Sequence, residues 1–227
     1  MSEATLPARL AAVREVVTAR QRAGGWSHQV RIVAVTKGHG PDAVRAAAAA
    51  GLDMVGENRV QEALAKQDAC AGVPVDWHLV GTLQRNKVRS AASRFAMIHS
   101  VDRLDLAQGI DRCTPDGTRQ VVLVQVNCSD ESQKGGVAPE AAAALLDAMR
   151  GCTRLEVRGL MTMAALTDDE REQRRAFARL RALRDELRAE GHGLTELSMG
   201  MSDDFGAAVE EGATLLRLGT VLLGPRE

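Results

Sequence analysis

Eight short apolar segments recur along the chain, and a segment with helical periodicity joins each of them to the next. Several of the apolar segments are rich in β-branched residues, which is typical of strands buried in a parallel sheet. Alternating strands and helices predict an α/β fold, and eight such units in about 200 residues favour a single closed (β/α)8 barrel of the TIM type. We therefore predict strands at 30–37, 54–57, 77–81, 95–101, 120–127, 155–163, 195–200 and 215–224.

An extra helix is predicted before the first strand, at about 3–23, because Leu6, Leu10 and Val13 recur there at helical spacing. No helix is predicted after the eighth strand, so the opening helix can fill that gap in the outer ring. No linker or change of composition divides the chain, and residues 1–227 are interpreted as one domain.

Composition excludes several classes of function. A net charge of −1 gives no bulk attraction to nucleic acid or to an anionic membrane, and no apolar stretch approaches the ~20 residues of a membrane span. The amino-terminal residues lack the apolar core of a signal peptide, which predicts a cytoplasmic protein. The four cysteines have no zinc-site spacing, so no metal site is expected.

Functional residues of a (β/α)8 barrel collect where its strands end, because the loops at that face form a common mouth. Residues with reactive or hydrogen-bonding side chains, or with accessible backbone groups, end every predicted strand. They are Lys37, Glu57, Asn58, His78, Gly81, His99, Ser100, Asn127, Met161, Thr162, Met163, Ser198, Ser202, Arg217, Gly219 and Thr220.

Lys37 is the only lysine at a predicted strand end, and it follows the apolar run 32–35. Lysines that leave a strand are commonly solvated. A partly desolvated lysine, however, has a lowered pKa and can attack a carbonyl to form a Schiff base.

The last two strands predict an anion site, because the loops after strands seven and eight of such barrels often bind phosphate. Gly219 allows a ligand to approach backbone N–H groups, and Thr220 adds a hydroxyl donor. Ser202 fits either a phosphate contact or a helix N-cap, and both roles are compatible. Arg217 shares a strand face with Gly219, and inside the barrel it would need a partner such as a ligand; an outward ion pair is the alternative.

A Schiff-base lysine, a phosphate cradle and an interior arginine together describe a site for pyridoxal 5′-phosphate, PLP. The sequence resembles the pyridoxal phosphate homeostasis proteins, which are relatives of the N-terminal barrel domain of alanine racemase. The matching stretches span nearly the whole chain: AVTK at 34–37, GENRVQE at 56–62, WHLVGTLQRNK at 77–87, SVDR at 100–103, the strand end at 126–127, GLMTM at 159–163, LSMGMSDDFGAAVEEGAT at 197–214 and RLGTVLLG at 217–224.

The resemblance implies that Lys37 holds PLP as a lysine aldimine and that Arg217 faces the pyridine nitrogen. It implies a phosphate site at Ser202, Gly219 and Thr220. The implied cofactor-binding residues are Lys37, Asn58, His78, Met161, Ser198, Ser202, Arg217, Gly219 and Thr220. Small departures from the family pattern at Thr36, Thr82 and Arg85 are expected to lie away from the chemistry.

The resemblance also implies a role in intracellular PLP homeostasis and carriage, with PLP enzymes lacking cofactor as possible partners and the protein acting as a monomer. An arginine beside the pyridine nitrogen disfavours its protonation and weakens the ring as an electron sink. Alanine racemase also uses a tyrosine from a second domain, whereas this chain ends at the eighth strand and has no tyrosine. We therefore assign no catalytic residue and expect no robust turnover; the alternative is a PLP-dependent amino-acid racemase of weak or narrow activity.

Two further alternatives compete with a PLP protein. Residues 38–43 match the glycine pattern of a dinucleotide-binding loop, with Glu57 in the place of the acidic ribose partner. Eight strands, however, exceed a six-stranded Rossmann sheet. A barrel that binds only other proteins is disfavoured by the residues that converge on the mouth.

Overall fold

Each strand pairs in parallel with the next strand along the chain, and the last pairs with the first, so the sheet closes into a barrel. The computed structural model describes residues 5–129, 131 and 135–225. The predicted (β/α)8 fold is confirmed. The strands in these ranges are β1 Arg31–Val35, β2 Met54–Glu57, β3 Asp76–Leu79, β4 Met97–Val101, β5 Gln120–Gln125, β6 Leu155–Met161, β7 Glu196–Ser198 and β8 Leu215–Leu218.

Helices follow the strands and cover the outside of the barrel. Short 3₁₀ turns at Arg85–Lys87 and Pro139–Ala141 precede two of them. The helices assigned within the described ranges are α1 Leu6–Gly24, α2 Pro41–Ala49, α3 Val60–Ala69, α4 Val88–Ala91, α5 Leu104–Cys113, α6 Ala142–Met149, α7 Glu170–Ala189, α8 Phe205–Glu210 and α9 Thr220–Leu223. None of these helices combines the length and apolar composition needed to cross a lipid bilayer.

The opening helix is confirmed as α1, which packs against α8 and α9 and so fills the gap in the ring. Its predicted first residues, 3 and 4, lie outside the described residues. The expectation that no helix follows the eighth strand is wrong. β8 ends at Leu218, and the apolar residues after Gly219 form the single turn α9, because an apolar run this short has no periodicity that separates strand from helix.

Apolar side chains fill the barrel interior as well as the space between barrel and helices. Because side chains alternate along a strand, Val33 of β1 faces the interior and Ala34 faces the helices. The interior cluster consists of Val33, Met54, Met97, Leu123, Met161 and Leu215. This apolar layer closes the barrel interior beneath the carboxyl ends of the strands, so the side chains at the strand ends lie above a packed core.

Candidate functional site

A cavity of about 390 Å³ opens at the carboxyl ends of the strands. Its size is within the range of about 300–1,000 Å³ that is common for small-molecule sites. The residues that line the cavity are far apart in the sequence. They come from the ends of β1, β2, β3, β5, β6, β7 and β8. Of the predicted site residues, those that line it are Lys37, Asn58, Ser202, Arg217, Gly219 and Thr220.

Lys37 reaches the cavity because of the alternation along β1. Val33 belongs to the interior cluster and Val35 lines the cavity, so the same side of the chain carries Lys37 to the mouth. Thr36, on the opposite side, is fully buried against the helix layer. The Lys37 side chain is half-buried.

The loop after β7 is joined to the end of β8 by Ser202. Its hydroxyl oxygen accepts hydrogen bonds from the backbone N–H groups of Gly219, at 3.3 Å, and Val221, at 3.2 Å. A Cβ atom at Gly219 would meet nothing closer than the Val35 carbonyl oxygen, 3.4 Å away. Gly219 itself lines the cavity, next to the hydroxyl groups of Ser202 and Thr220, which are donors of the kind that an oxyanion group requires.

Arg217 lies inside the barrel with 5% of its surface exposed, which excludes the outward ion pair. The guanidinium donates to Ser198 Oγ at 2.7 Å and to the Thr162 carbonyl at 2.8 Å. Burial lowers the pKa of Arg217 to about 10, so the group remains charged at neutral pH. The protein thus supplies two partners that the sequence did not identify, and the arginine still lines the cavity.

A chain of buried polar groups continues from Arg217 into the barrel. Ser198 Oγ lies 2.9 Å from His99 Nδ1, and His99 Nε2 lies 2.9 Å from His78 Nδ1. Burial lowers the pKa of His78 to about 4, and burial together with the neighbouring His78 and Arg217 lowers the pKa of His99 well below its usual value. Both rings are therefore neutral near pH 7, and the ring–ring contact pairs one N–H with one bare nitrogen.

Three predicted residues lie below the cavity and do not line it: His78, Met161 and Ser198, with 3%, 1% and 0% of their surfaces exposed. His78 and Ser198 belong to the buried polar chain, and Met161 belongs to the interior cluster. Met163, two residues after Met161, forms the cavity wall instead. The depth of a strand in the barrel depends on its register with its neighbours, which the sequence pattern does not specify.

Sequence reasoning did not predict several residues of the cavity wall. Thr82 was expected to lie away from the chemistry, but it lines the cavity. Gly81 lies so close to the loop after β2 that a Cβ atom there would approach the Asn58 carbonyl oxygen to 2.2 Å. Gln125 ends β5, two residues before the predicted end of that strand at 127. The wall residues missed are Val35, Val80, Thr82, Gln125, Met201 and Asp203, whereas Gly81 and Met163, also on the wall, lie at predicted strand ends.

Comparison with known proteins relates this chain to one family over nearly its full length. The family model "Alanine racemase, N-terminal domain" matches residues 9–227. The pyridoxal phosphate homeostasis protein of Pseudomonas aeruginosa is 46% identical over 92% of this chain and 90% of that protein. The protein of the same name from Aquifex aeolicus is 40% identical over 96% of this chain and 97% of that protein.

Solved structures show the same relationship. PipY of Synechococcus elongatus, in a structure with PLP bound, is 38% identical to this chain and superposes on it with a TM-score of 0.85. The match covers 97% of this chain and 100% of PipY. Alanine racemase from Corynebacterium glutamicum has a TM-score of 0.73 at 18% identity, covering 95% of this chain and 62% of the racemase. The latter likeness concerns the fold alone.

Proposed function

The chain belongs to the alanine racemase N-terminal domain family and, within it, to the pyridoxal phosphate homeostasis proteins, and from this premise we propose that it binds PLP at the barrel mouth and serves intracellular PLP homeostasis. The proposal is supported by the names of its relatives and by PipY, whose structure has PLP bound. The acceptors of the cofactor are PLP enzymes that lack it, and the protein acts as a monomer.

The observation that carries the proposal is the meeting of three chemical groups in one cavity. Lys37 supplies an amine, Arg217 supplies a buried cation, and Ser202 and Thr220 supply hydroxyl groups beside the Gly219 backbone. PLP has an aldehyde, a pyridine nitrogen and a phosphate, and each of these three groups has a partner of matching chemistry.

We propose that Lys37 holds the cofactor covalently. Bound PLP would supply an aldehyde carbon, to which the Lys37 amine would be joined by a C=N bond with release of one water. Lys66 is held in a buried ion pair and Lys87 lines no part of the cavity, so neither competes for the aldehyde.

Arg217 makes carriage a better function than turnover. Bound PLP supplies a ring that can withdraw electrons from a substrate carbon, and it does so best when the pyridine nitrogen is protonated. Arg217 keeps its own proton at neutral pH and is held by Ser198 and Thr162, so facing the pyridine nitrogen it would present a fixed positive charge that opposes protonation of that nitrogen.

Reduction with borohydride followed by peptide mapping tests this assignment. The sequence has four lysines, at 37, 66, 87 and 134, so the peptides are easily distinguished. We expect a pyridoxyl group on the peptide that contains Thr36, Lys37 and Gly38, and its loss in Lys37→Ala. A label on any of the other three lysines, with none on Lys37, would contradict the proposal.

A further inference from the structure

A buried ion pair lies behind Lys37, between β2 and α3. Lys66 Nζ is 2.6 Å from Glu57 Oε1, and their side chains retain only 8% and 0% of their exposure. Glu57 is on the same face of β2 as Val55, which packs in the outer core. The pair therefore lies on the helix side of the barrel wall and lines no part of the cavity.

The pair and its neighbour Glu62 hold both residues that flank Lys37 in the chain. Lys66 Nζ donates to the Thr36 carbonyl at 2.7 Å, and the Thr36 hydroxyl donates to Glu57 Oε1 at 2.5 Å. On the other side, the Gly38 N–H donates to Glu62 Oε1 at 2.9 Å, and Lys66 also donates to that oxygen at 3.1 Å. The backbone just before and just after Lys37 is thus tied to the same ammonium group.

The geometry favours orientation over stability as the role of this pair. The Lys66 ammonium has three protons and three oxygen partners. Glu57 Oε2, by contrast, is buried and accepts no hydrogen bond from the described part of the chain. Burial raises the pKa of Glu57 despite its two partners. Replacing a buried ion pair by apolar residues often costs no stability, so stability alone is a weak reason for this arrangement.

We propose that Lys66 and Glu57 are positioning residues that fix the backbone at 36–38 and thereby direct the Lys37 side chain into the mouth cavity. This inference rests on the proposed function, because the purpose of the arrangement is to present an amine to the PLP aldehyde. Neither residue touches the cofactor: both act through Thr36 and, by way of Glu62, through Gly38.

The test uses the double variant Lys66→Met/Glu57→Gln, which removes both charges of the pair and leaves an amide oxygen at position 57 that can still accept from Thr36. The control is Arg174→Met/Glu211→Gln, which removes a partly exposed ion pair of 2.7 Å between α7 and the end of α8, together with the contacts of Arg174 with Glu210 and of Glu211 with Arg181, away from the cavity wall. The rate of imine formation after addition of PLP is followed by absorbance, total bound PLP is measured by equilibrium dialysis, and unfolding by urea reports stability.

We expect the double variant to form the imine at least tenfold more slowly, and on the order of a hundredfold if the amine moves by about 1 Å, while total PLP binding changes less than the rate does. The control should match the wild-type protein. A purely structural role would lower stability and leave the rate of the folded protein unchanged, and that result would overturn the proposal.

A second readout needs no cofactor. Hydrogen exchange of the Gly38 amide, measured by NMR, should be at least tenfold faster in the double variant because the acceptor Glu62 loses its own anchor. Unchanged exchange would overturn the positioning role. If the wild-type protein forms no imine, the proposed function fails, whereas the exchange at Gly38 still decides whether the pair fixes this segment.

Discussion

Acid should destabilise the fold through the histidines inside the barrel. Burial lowers the pKa of His78 to about 4, whereas a histidine in an unfolded chain has a pKa of about 6.5. Between these values the unfolded chain binds a proton that the folded state does not bind. The stabilisation is therefore fully present above about pH 6.5 and is lost as the pH falls toward the folded pKa.

The magnitude follows from the two pKa values. A difference of about 2.5 units, at about 1.36 kcal/mol for each unit, corresponds to about 3 kcal/mol from His78 alone. His99 acts in the same direction, because its pKa is also lowered. Glu57 and Asp204 act in the opposite direction near their own pKa values, because burial raises the pKa of each carboxyl group.

The assay compares variants to separate these contributions. The free energy of unfolding is measured with urea at a series of pH values from about 7 to about 4, for the wild-type protein and for His78→Asn, whose amide can occupy the position of Nδ1. Between these pH values the free energy of unfolding of the variant should fall by about 3 kcal/mol less than that of the wild-type protein. His39→Asn, in the loop after β1, is the control for the change in composition. If wild type and His78→Asn lose equal stability, the reasoning about the buried ring is refuted.

Two predictions concern the cofactor directly. Ser202→Ala combined with Thr220→Val should weaken PLP binding, measured by equilibrium dialysis, by on the order of a hundredfold or more, because each hydrogen bond to a charged group contributes ~1.5–3 kcal/mol. Unchanged affinity would locate the phosphate elsewhere. The protein loaded with PLP should show little exchange of amino-acid α-protons in D₂O by NMR, since Arg217 disfavours a protonated ring; exchange at about 1 s⁻¹ or faster would favour the racemase alternative.

The barrel could be predicted from the sequence because its signals are local. Runs of buried residues, turn residues and helical spacing are properties of neighbouring positions, and their eightfold repetition favours closure. The family resemblance predicted Lys37 and Arg217 as cofactor-binding residues, and the alternation along β1 and β8 agrees with their position on the inner side of the barrel. The strand ends were less certain, as the helical turn after Gly219 illustrates.

The depth of each side chain in the barrel and its hydrogen-bond partners were determined only by the tertiary structure. How far His78, Met161 and Ser198 lie below the mouth depends on the stagger of strands that meet across the barrel, and no local pattern encodes that stagger. The partners of Arg217, on β7 and after β6, lie 19 and 55 positions away from it.

The Lys66–Glu57 ion pair behind Lys37 likewise combines a residue recognisable in the sequence with a contact that only the tertiary structure makes. The motif at 56–62 identified Glu57, but only the packing of α3 against β1 and β2 brings Lys66 to the Thr36 carbonyl, 30 positions earlier in the chain. A sequence determines which groups are available at the ends of its strands, because strand faces and strand order follow from local pattern. The tertiary structure determines which of those groups are in contact, because it packs distant segments together. A buried charge is stable only with a partner, and that partner can come from any segment that packs against it.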